Sequence, residues 1–551
     1  MLERRLAFLI PLAASLPAAW VLVLHYHSIY NDALSRLANG YYVLYSRDPH
    51  LAAVGFVWNP LPSFVDIPFL IVKGWWAPLS RDAFAANLAS CLFYALGCWQ
   101  LYRYFEDMSL SRVLRWGLWL CFAANPLVFY YGINGMSESL FIFTLIVTAR
   151  YLGRWLEWGN TRSLVISAIA LGVAYLDRNE ALAPAFVAGV TIGAVSFLRA
   201  RGDRSLRRRI AFTDVYLYLS PFALSFGVWA VTSWLIVGHP FEQFSSQYGN
   251  AAQIKASSQR LFQQTLEGRF LYAVHGAETV APFLAILVLL ALLRVYWLRD
   301  LRALAPIAVM VSVLGFEIVA YSNRQIFPWY RYYIYACPAA VMIAACLAAR
   351  SRADLSRPLV IRHTKTPALS VQHIRRTQSL VAGIALAMAA AGGASTAVTL
   401  GHLSGLSEQD RYQLAYILWP STSEAKNSQL FKGYLGIRGL AHNLDSMHLP
   451  NGSVMVDNFT TCIPELILDS SHPKQFVIPN DEDYQEKFGV PYQFGIRYLL
   501  VPDPVTNPVD ALNQHLPGLF ASGQGLATLV REIRVASCPT FRLYRALPNS
   551  T

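Results

Sequence analysis

Apolar residues along this chain come in runs of about twenty, separated by short polar clusters, as in a polypeptide that crosses a bilayer repeatedly. The runs predict spans at roughly 6–26, 83–103, 113–131, 138–156, 163–177, 181–199, 212–236, 277–295, 303–321, 331–349 and 378–400, about 11 helices. Between 163 and 199 the polar group Asp177-Arg178-Asn179-Glu180 and then Pro184 interrupt the pattern, so two spans joined by a tight turn are expected there. The segment 27–82 is too long for a simple connection. Leu34, Leu37, Tyr41, Leu44 and Tyr45 recur at helical spacing, which predicts a helix lying along the membrane surface. Asn59-Pro60-Leu61-Pro62 then breaks the chain, and Ser63–Trp76 reads as a second interfacial stretch, with Trp75 and Trp76 at headgroup depth.

Beyond Leu400 the pattern changes to short apolar strands ended by turn residues, at 453–456, 475–478, 498–501 and 541–544. Two regions are therefore expected: 1–400 in the membrane, with the outer loop 27–82, and 401–551 as an α/β domain large enough for its own core.

Composition supports this division, because 55% of the residues are hydrophobic and only 14% charged. The apolar run after Met1-Leu2-Glu3-Arg4-Arg5 carries its small residues inside it, not at its end, and reads as an uncleaved first span. The expected inner connections hold 24 Lys and Arg and the expected outer segments 10, which places the N-terminus in the cytoplasm. An odd number of crossings leaves the C-terminal region outside, extracytoplasmic or periplasmic, on an inner (plasma) membrane protein. The net charge of +12 comes from those inner loops, while residues 401–551 balance at −3. Topology and contact with membrane lipids account for that surplus, and no nucleic-acid partner is implied.

Of seven cysteines, Cys91, Cys98, Cys121, Cys337 and Cys346 lie in spans and read as small apolar fillers. Cys462 and Cys538 are the two in the outer region, as a disulfide or as two buried thiols. No Cys/His spacing suggests zinc. Sequon patterns begin at Asn451, Asn458 and Asn549.

The candidate chemistry gathers at the outer ends of the spans. Asp32, in Tyr30-Asn31-Asp32-Ala33, stands where the first span emerges, the depth at which an acid or base can serve a lipid-carried substrate and a water-exposed one. A helix cap is the structural alternative. Glu138 opens the fourth span, as a cap or as a functional acid. Arg178 and Glu180 share one outer turn and can pair. Tyr330-Arg331-Tyr332-Tyr333 opens the tenth span, and an outward arginine suits phosphate, with snorkelling to lipid as the alternative. Asp48 and His50 lie in the first outer loop, and Glu278 and Glu317 near other outer ends. Spans almost free of charge at mid-depth favour surface chemistry over transport of a charged solute.

An outward Asp after the first span, surface helices, many spans and an outer C-terminal domain resemble the GT-C superfamily of polyprenyl-phosphate-sugar-dependent glycosyltransferases. Within it the chain is similar to bacterial protein O-mannosyltransferase-like and lipid A aminoarabinose-transferase-like enzymes. Asn31-Asp32 occupies the place of the family's acidic motif. Gly135-Met136-Ser137-Glu138-Ser139 is similar to a Ser-Glu element, and Arg331-Tyr332 followed by Pro338 to a late Arg-Tyr…Pro element. The resemblance implies a polytopic α-helical GT-C-like membrane fold and inverting transfer of a sugar from a polyprenyl-phosphate donor to a glycan, lipid or protein of the cell envelope. Asp32 would be the general base. Arg331 and Arg178 would bind the donor phosphate, and Glu138, Glu180, Asp48, His50 and Tyr330 the substrates. No cofactor is read with certainty: relatives that hold a divalent metal have two adjacent acids where this chain has Asn31-Asp32. A lipid-linked saccharide flippase, or a non-catalytic protein of envelope assembly, are the alternatives.

Overall fold

The computed structural model describes residues 1–246, 248–256, 262, 265–350, 371–401 and 429–548. Most of the expected inner connection 350–376, the junction at 402–428 and the sequon at Asn549 lie outside the described residues.

The apolar runs are helices because a backbone in lipid must satisfy its own hydrogen bonds. The first helix, α1 (Leu2–Trp20), continues in wider turns to His25. Two surface helices follow, α2 (Asn31–Tyr45) and α3 (Leu61–Ile71), then the single turn α4 (Pro78–Arg81). The next helices are α5 (Phe84–Asp107), α6 (Arg112–Ala123), α7 (Pro126–Tyr131), α8 (Glu138–Trp158), α9 (Thr161–Asp177) and α10 (Leu182–Arg199). Helix α1 packs along α5, α5 along α8, α8 along α9, and α9 along the helix Arg204–Val237. That last pair is close because of Gly172, where an added Cβ would meet the Pro221 carbonyl oxygen at 2.8 Å.

Eight helices among the described residues are long and apolar enough to cross a bilayer, or nine if one bent pair forms a single span. Two expected spans are divided and a third is short. Residues 113–131 are divided into α6 and α7, because the Asn125 side chain accepts from the amides of Leu127 and Val128 and restarts the helix. Helix α9 reaches only about 25 Å at 1.5 Å per residue, short of a full hydrocarbon core. The run read as 277–295 is two helices, Leu266–Val280 and Leu284–Leu298, bent by 80°. Pro282 lies in the break, where it lacks an amide and disfavours helix at the residue before it.

The C-terminal region holds a five-stranded mixed sheet: β1 (Val454–Met455), β2 (Phe476–Val477), β3 (Tyr498–Pro502), β4 (Ala527–Ile533) and β5 (Phe541–Ala546), in the order β2-β1-β3-β5-β4. Strand β1 is parallel to both neighbours, and β5 is antiparallel to β3 and β4. Four strands fall where the sequence places them. The fifth, β4, escapes the pattern because most of its side chains are exposed and carry no burial alternation. Leu34, Leu37 and Tyr41 of α2 share one apolar core with Leu466, Phe476, Ile478 and Leu500, so the surface helix is a floor on which the sheet region rests. Cys462 and Cys538 are joined, with Cα atoms 6.0 Å apart.

Candidate functional site

The junction of α2 with the sheet region encloses a cavity of about 320 Å³. Asn31, Asp32, Ser35, Arg36 and Asn39 form its membrane side. Residues 458–465, Tyr434 and the Cys462–Cys538 bridge face them, and Trp58 and Trp329 complete the wall.

Asp32 stands in the first turn of α2, where the helix dipole favours a carboxylate, and keeps 34% of its side-chain surface exposed. Behind it runs a line of alternating charges. Arg331 Nη2 donates to Asp32 Oδ2 at 2.7 Å, and its Nε lies 3.8 Å from Glu138 Oε1. Arg178 donates to Glu138 at 2.8 Å and to Glu180 at 2.6 Å. Arg331, Glu138 and Arg178 are all buried, and the Arg331 guanidinium lies over the Trp329 ring, 4.2 Å from its centre. Burial favours the neutral form of Asp32, but the Arg331 and Arg36 guanidiniums outweigh it and hold the carboxyl below its usual range. Asp32 is therefore ionised at neutral pH.

Of the residues singled out in the sequence, Asp32 lines the cavity, and Arg331, Glu138, Arg178 and Glu180 form the line behind it. Arg178, expected to meet a phosphate, has Glu138 and Glu180 against its guanidinium. Tyr330 is buried outside the lining. Asp48 and His50 stand elsewhere: Asp48 accepts from the Glu482 amide at 3.2 Å, and the His50 ring lies 4.0 Å from the Glu482 carboxylate. They dock the first outer loop on the C-terminal region. Their polarity was legible, but not the partner it serves.

Arg36 is the residue that reading from the sequence underused. It lies one helical turn after Asp32 and so on the same face. It lines the cavity, and among the described residues no carboxylate reaches ion-pairing distance of it, while one of its buried nitrogens has no hydrogen-bond partner. Its charge acts at longer range on Asp32 and on Asp66, whose carboxyl burial pushes well above the usual range against the pull of Arg36. Glu317 is fully buried behind the same line of charges, against Glu180.

A divalent cation does not fit these residues. The neighbour of Asp32 is a neutral Asn31, Arg331 occupies a carboxylate oxygen of Asp32, and among the described residues no group of three His, Cys, Asp or Glu is arranged to hold a metal.

No protein-family profile and no curated protein sequence matches the chain. Solved structures do. ArnT from Cupriavidus metallidurans bound to undecaprenyl phosphate superposes with a TM-score of 0.54 at 12% identity, over 99% of this chain and 100% of that one. The same protein in the apo state gives 0.52 at 13% identity, over 98% and 99%. Coverage this complete takes in the helical region and the C-terminal sheet together. The polytopic helical architecture with a C-terminal sheet region expected from the sequence is thus the observed one, and this chain has the fold of ArnT.

Proposed function

We propose that the protein is a glycosyltransferase that moves a sugar from a polyprenyl-phosphate donor to a hydroxyl of a cell-envelope glycan, lipid or protein, with inversion. The observation that carries this reading is an ionised Asp32 opening into a cavity at the membrane surface and backed by a buried line of charges. The fold it shares with a protein that binds undecaprenyl phosphate supports the choice of donor. The N-terminus is assigned to the cytoplasm and the cavity to the opposite face, on the charge bias of the loops.

In this mechanism the acceptor oxygen attacks the anomeric carbon as the bond from that carbon to the phosphate oxygen breaks. The polyprenyl phosphate leaves with the bonding pair, and the acceptor proton passes to Asp32. Arg331 keeps Asp32 ionised and oriented, which is the state a base requires. It also makes Asp32 a weak base, so proton transfer runs late, after charge has developed on the phosphate. Arg36, the cation of the cavity wall without a carboxylate partner, is placed to receive that charge. Glu138, Arg178 and Glu180 fix Arg331 from behind, and the residues of 458–465 face the acceptor.

The test is transfer from a copurified polyprenyl-phosphate sugar to an envelope extract. Asp32→Asn preserves size and most hydrogen bonding and should lower turnover by about 10²–10⁴-fold with donor binding retained. Near-normal turnover would overturn the general-base assignment. Arg36→Gln should weaken donor retention, whereas Arg178→Gln should act mainly through stability.

A further inference from the structure

A second cavity, of about 390 Å³, opens on the other side of α2, away from Asp32. Tyr41 and Tyr45 form one wall, Ile71, Lys73 and Gly74 another, Ala77, Ser80 and Arg81 a third, and Leu468–Ser471 the floor. Its depth follows from the aromatic residues around it. Trp20, near the emerging end of α1, stacks on Trp76 with ring centres 5.7 Å apart. Trp75 is 90% exposed and Ile71 is 62% exposed. Exposed tryptophan and isoleucine beside the end of a span mark the boundary between headgroups and acyl chains.

The charge in this cavity is unbalanced. The Lys73 ammonium sits 4.2 Å from the centre of the Tyr45 ring and 4.9 Å from that of Tyr41, and lies 3.5 Å from the Tyr41 hydroxyl. Among the described residues no carboxylate comes within ion-pairing distance of it, and burial lowers its proton affinity. Arg81 is 42% exposed and meets Asp82 at 3.4 Å with one nitrogen, leaving the rest of its guanidinium at the rim. The acid of the lining, Asp469, is committed to Arg438 at 3.3 Å, and Ser470 and Ser471 give their hydroxyl protons to Asp445. Asp469 shares that Arg438 nitrogen with Asp82, whereas among the described residues Lys73 has no acid of its own.

We propose that this cavity holds the phosphodiester of an anionic phospholipid from the surrounding leaflet, with Lys73 as its counter-cation, Arg81 at its edge, and the acyl chains running down past Ile71 and Trp75. The tyrosine faces keep the ammonium in place when the site is empty and leave its outer side for phosphate oxygens. A half-buried ammonium without an acid is costly in water-poor surroundings, and a lipid phosphate removes that cost. The site does not depend on the glycosyl-transfer reading, because none of its residues lines the Asp32 cavity. Through α2, which both cavities share, a bound lipid would steady the helix that carries Asp32.

Native mass spectrometry of the full protein released from bilayers of equal phosphatidylglycerol and phosphatidylcholine tests this. The wild type should retain phosphatidylglycerol in preference to phosphatidylcholine, by about tenfold. The pair Lys73→Gln and Arg81→Gln should lose that preference, and Lys73→Arg should keep it. If the double variant fails to fold, a headgroup-photoactivatable phosphatidylglycerol applied to the wild type should still label peptides spanning 71–81. Equal retention of the two lipids, or labelling that avoids those peptides, would overturn the proposal. Displacement by millimolar inorganic phosphate with no discrimination between the lipids would show a free-phosphate site and reject the lipid.

Discussion

The charges behind Asp32 and those beneath the C-terminal sheet are both buried, but they are balanced in opposite ways. In the membrane region carboxylates alternate with guanidiniums: Asp32, Arg331, Glu138, Arg178, Glu180. In the C-terminal region Asp469 and Asp481 meet Arg438 and Arg47, but among the described residues Asp457, Asp510 and Glu465 have no cation within ion-pairing distance. Asp457 accepts from the Tyr248 hydroxyl at 2.9 Å and from the amides of Phe459 and Ala511, and Asp510 accepts from Thr460 and the Asn513 amide. Hydrogen bonds from neutral donors tolerate a proton on the acid, whereas an ion pair does not. Burial accordingly pushes Asp510 and Glu465 up to about 7, while Asp32 is held below the usual carboxylate range. The first arrangement fixes a permanent negative charge where a reaction can use it. The second makes a lid whose charge depends on pH.

Removing one cation from the balanced region should have the largest effect on stability. Arg178→Met strands Glu138 and Glu180 together in a buried site, and breaking such a group typically costs about 3–5 kcal/mol. Melting temperature should fall sharply, with Glu138→Gln in the same background recovering part of the loss. A small change for Arg178→Met alone would mean that the line of charges does not act as a unit.

The C-terminal region is held by a covalent link as well as by ion pairs. Replacing Cys462 and Cys538 by serine should cost roughly 2–4 kcal/mol. The loss should appear as faster hydrogen exchange in the peptides of β4 and β5, with the spans unchanged. Uniform exchange across the chain would show that the two regions unfold together.

Much of this comparison was legible in the sequence, and the illegible part has a physical reason. Hydropathy located the spans because lipid selects on composition, but it missed the 80° break at Pro282, a matter of backbone geometry. Asp32 stood out by its depth. Its pairing with Arg331, 299 residues away, depends on helix packing that periodicity does not encode. The contact of Asp48 and His50 with Glu482 was not legible, because a loop acid and a docking acid have the same local sequence. Arg36 could have been found from its spacing of one turn after Asp32.

The two kinds of balance predict opposite responses to pH. Asp510 and Glu465 have folded values near 7, above ordinary values of 3.8 and 4.5, so the folded lid binds more protons than the unfolded chain between those limits. Their contribution is full below about pH 4 and is lost as pH rises through about 7. Asp32 has the reverse sign: its contribution is present above its ordinary value of 3.8 and is lost as pH falls through the lower folded one. Hydrogen exchange corrected for its intrinsic pH dependence should therefore show the lid loosening from pH 5 to 8, while the α2 peptide around Asp32 stays constant. Loosening of both together would remove the distinction between the regions.

The smallest expected effect is at the seam between them. Asp48 and His50 tie the first outer loop to the C-terminal region through Glu482, and Asp48 is 37% exposed there. Solvent screens such contacts, so Asp48→Asn and His50→Gln should each cost under about 1 kcal/mol. If the Asp32 cavity is where transfer occurs, both variants should also keep kcat/KM within about twofold, because neither side chain lines it. A tenfold loss in kcat with unchanged melting would place a substrate group over that seam and move the reacting centre away from the cavity. A tenfold rise in KM with kcat unchanged would mean that the acceptor docks across the seam on its way in. Near-normal values for both would confine the chemistry to the balanced side of the molecule.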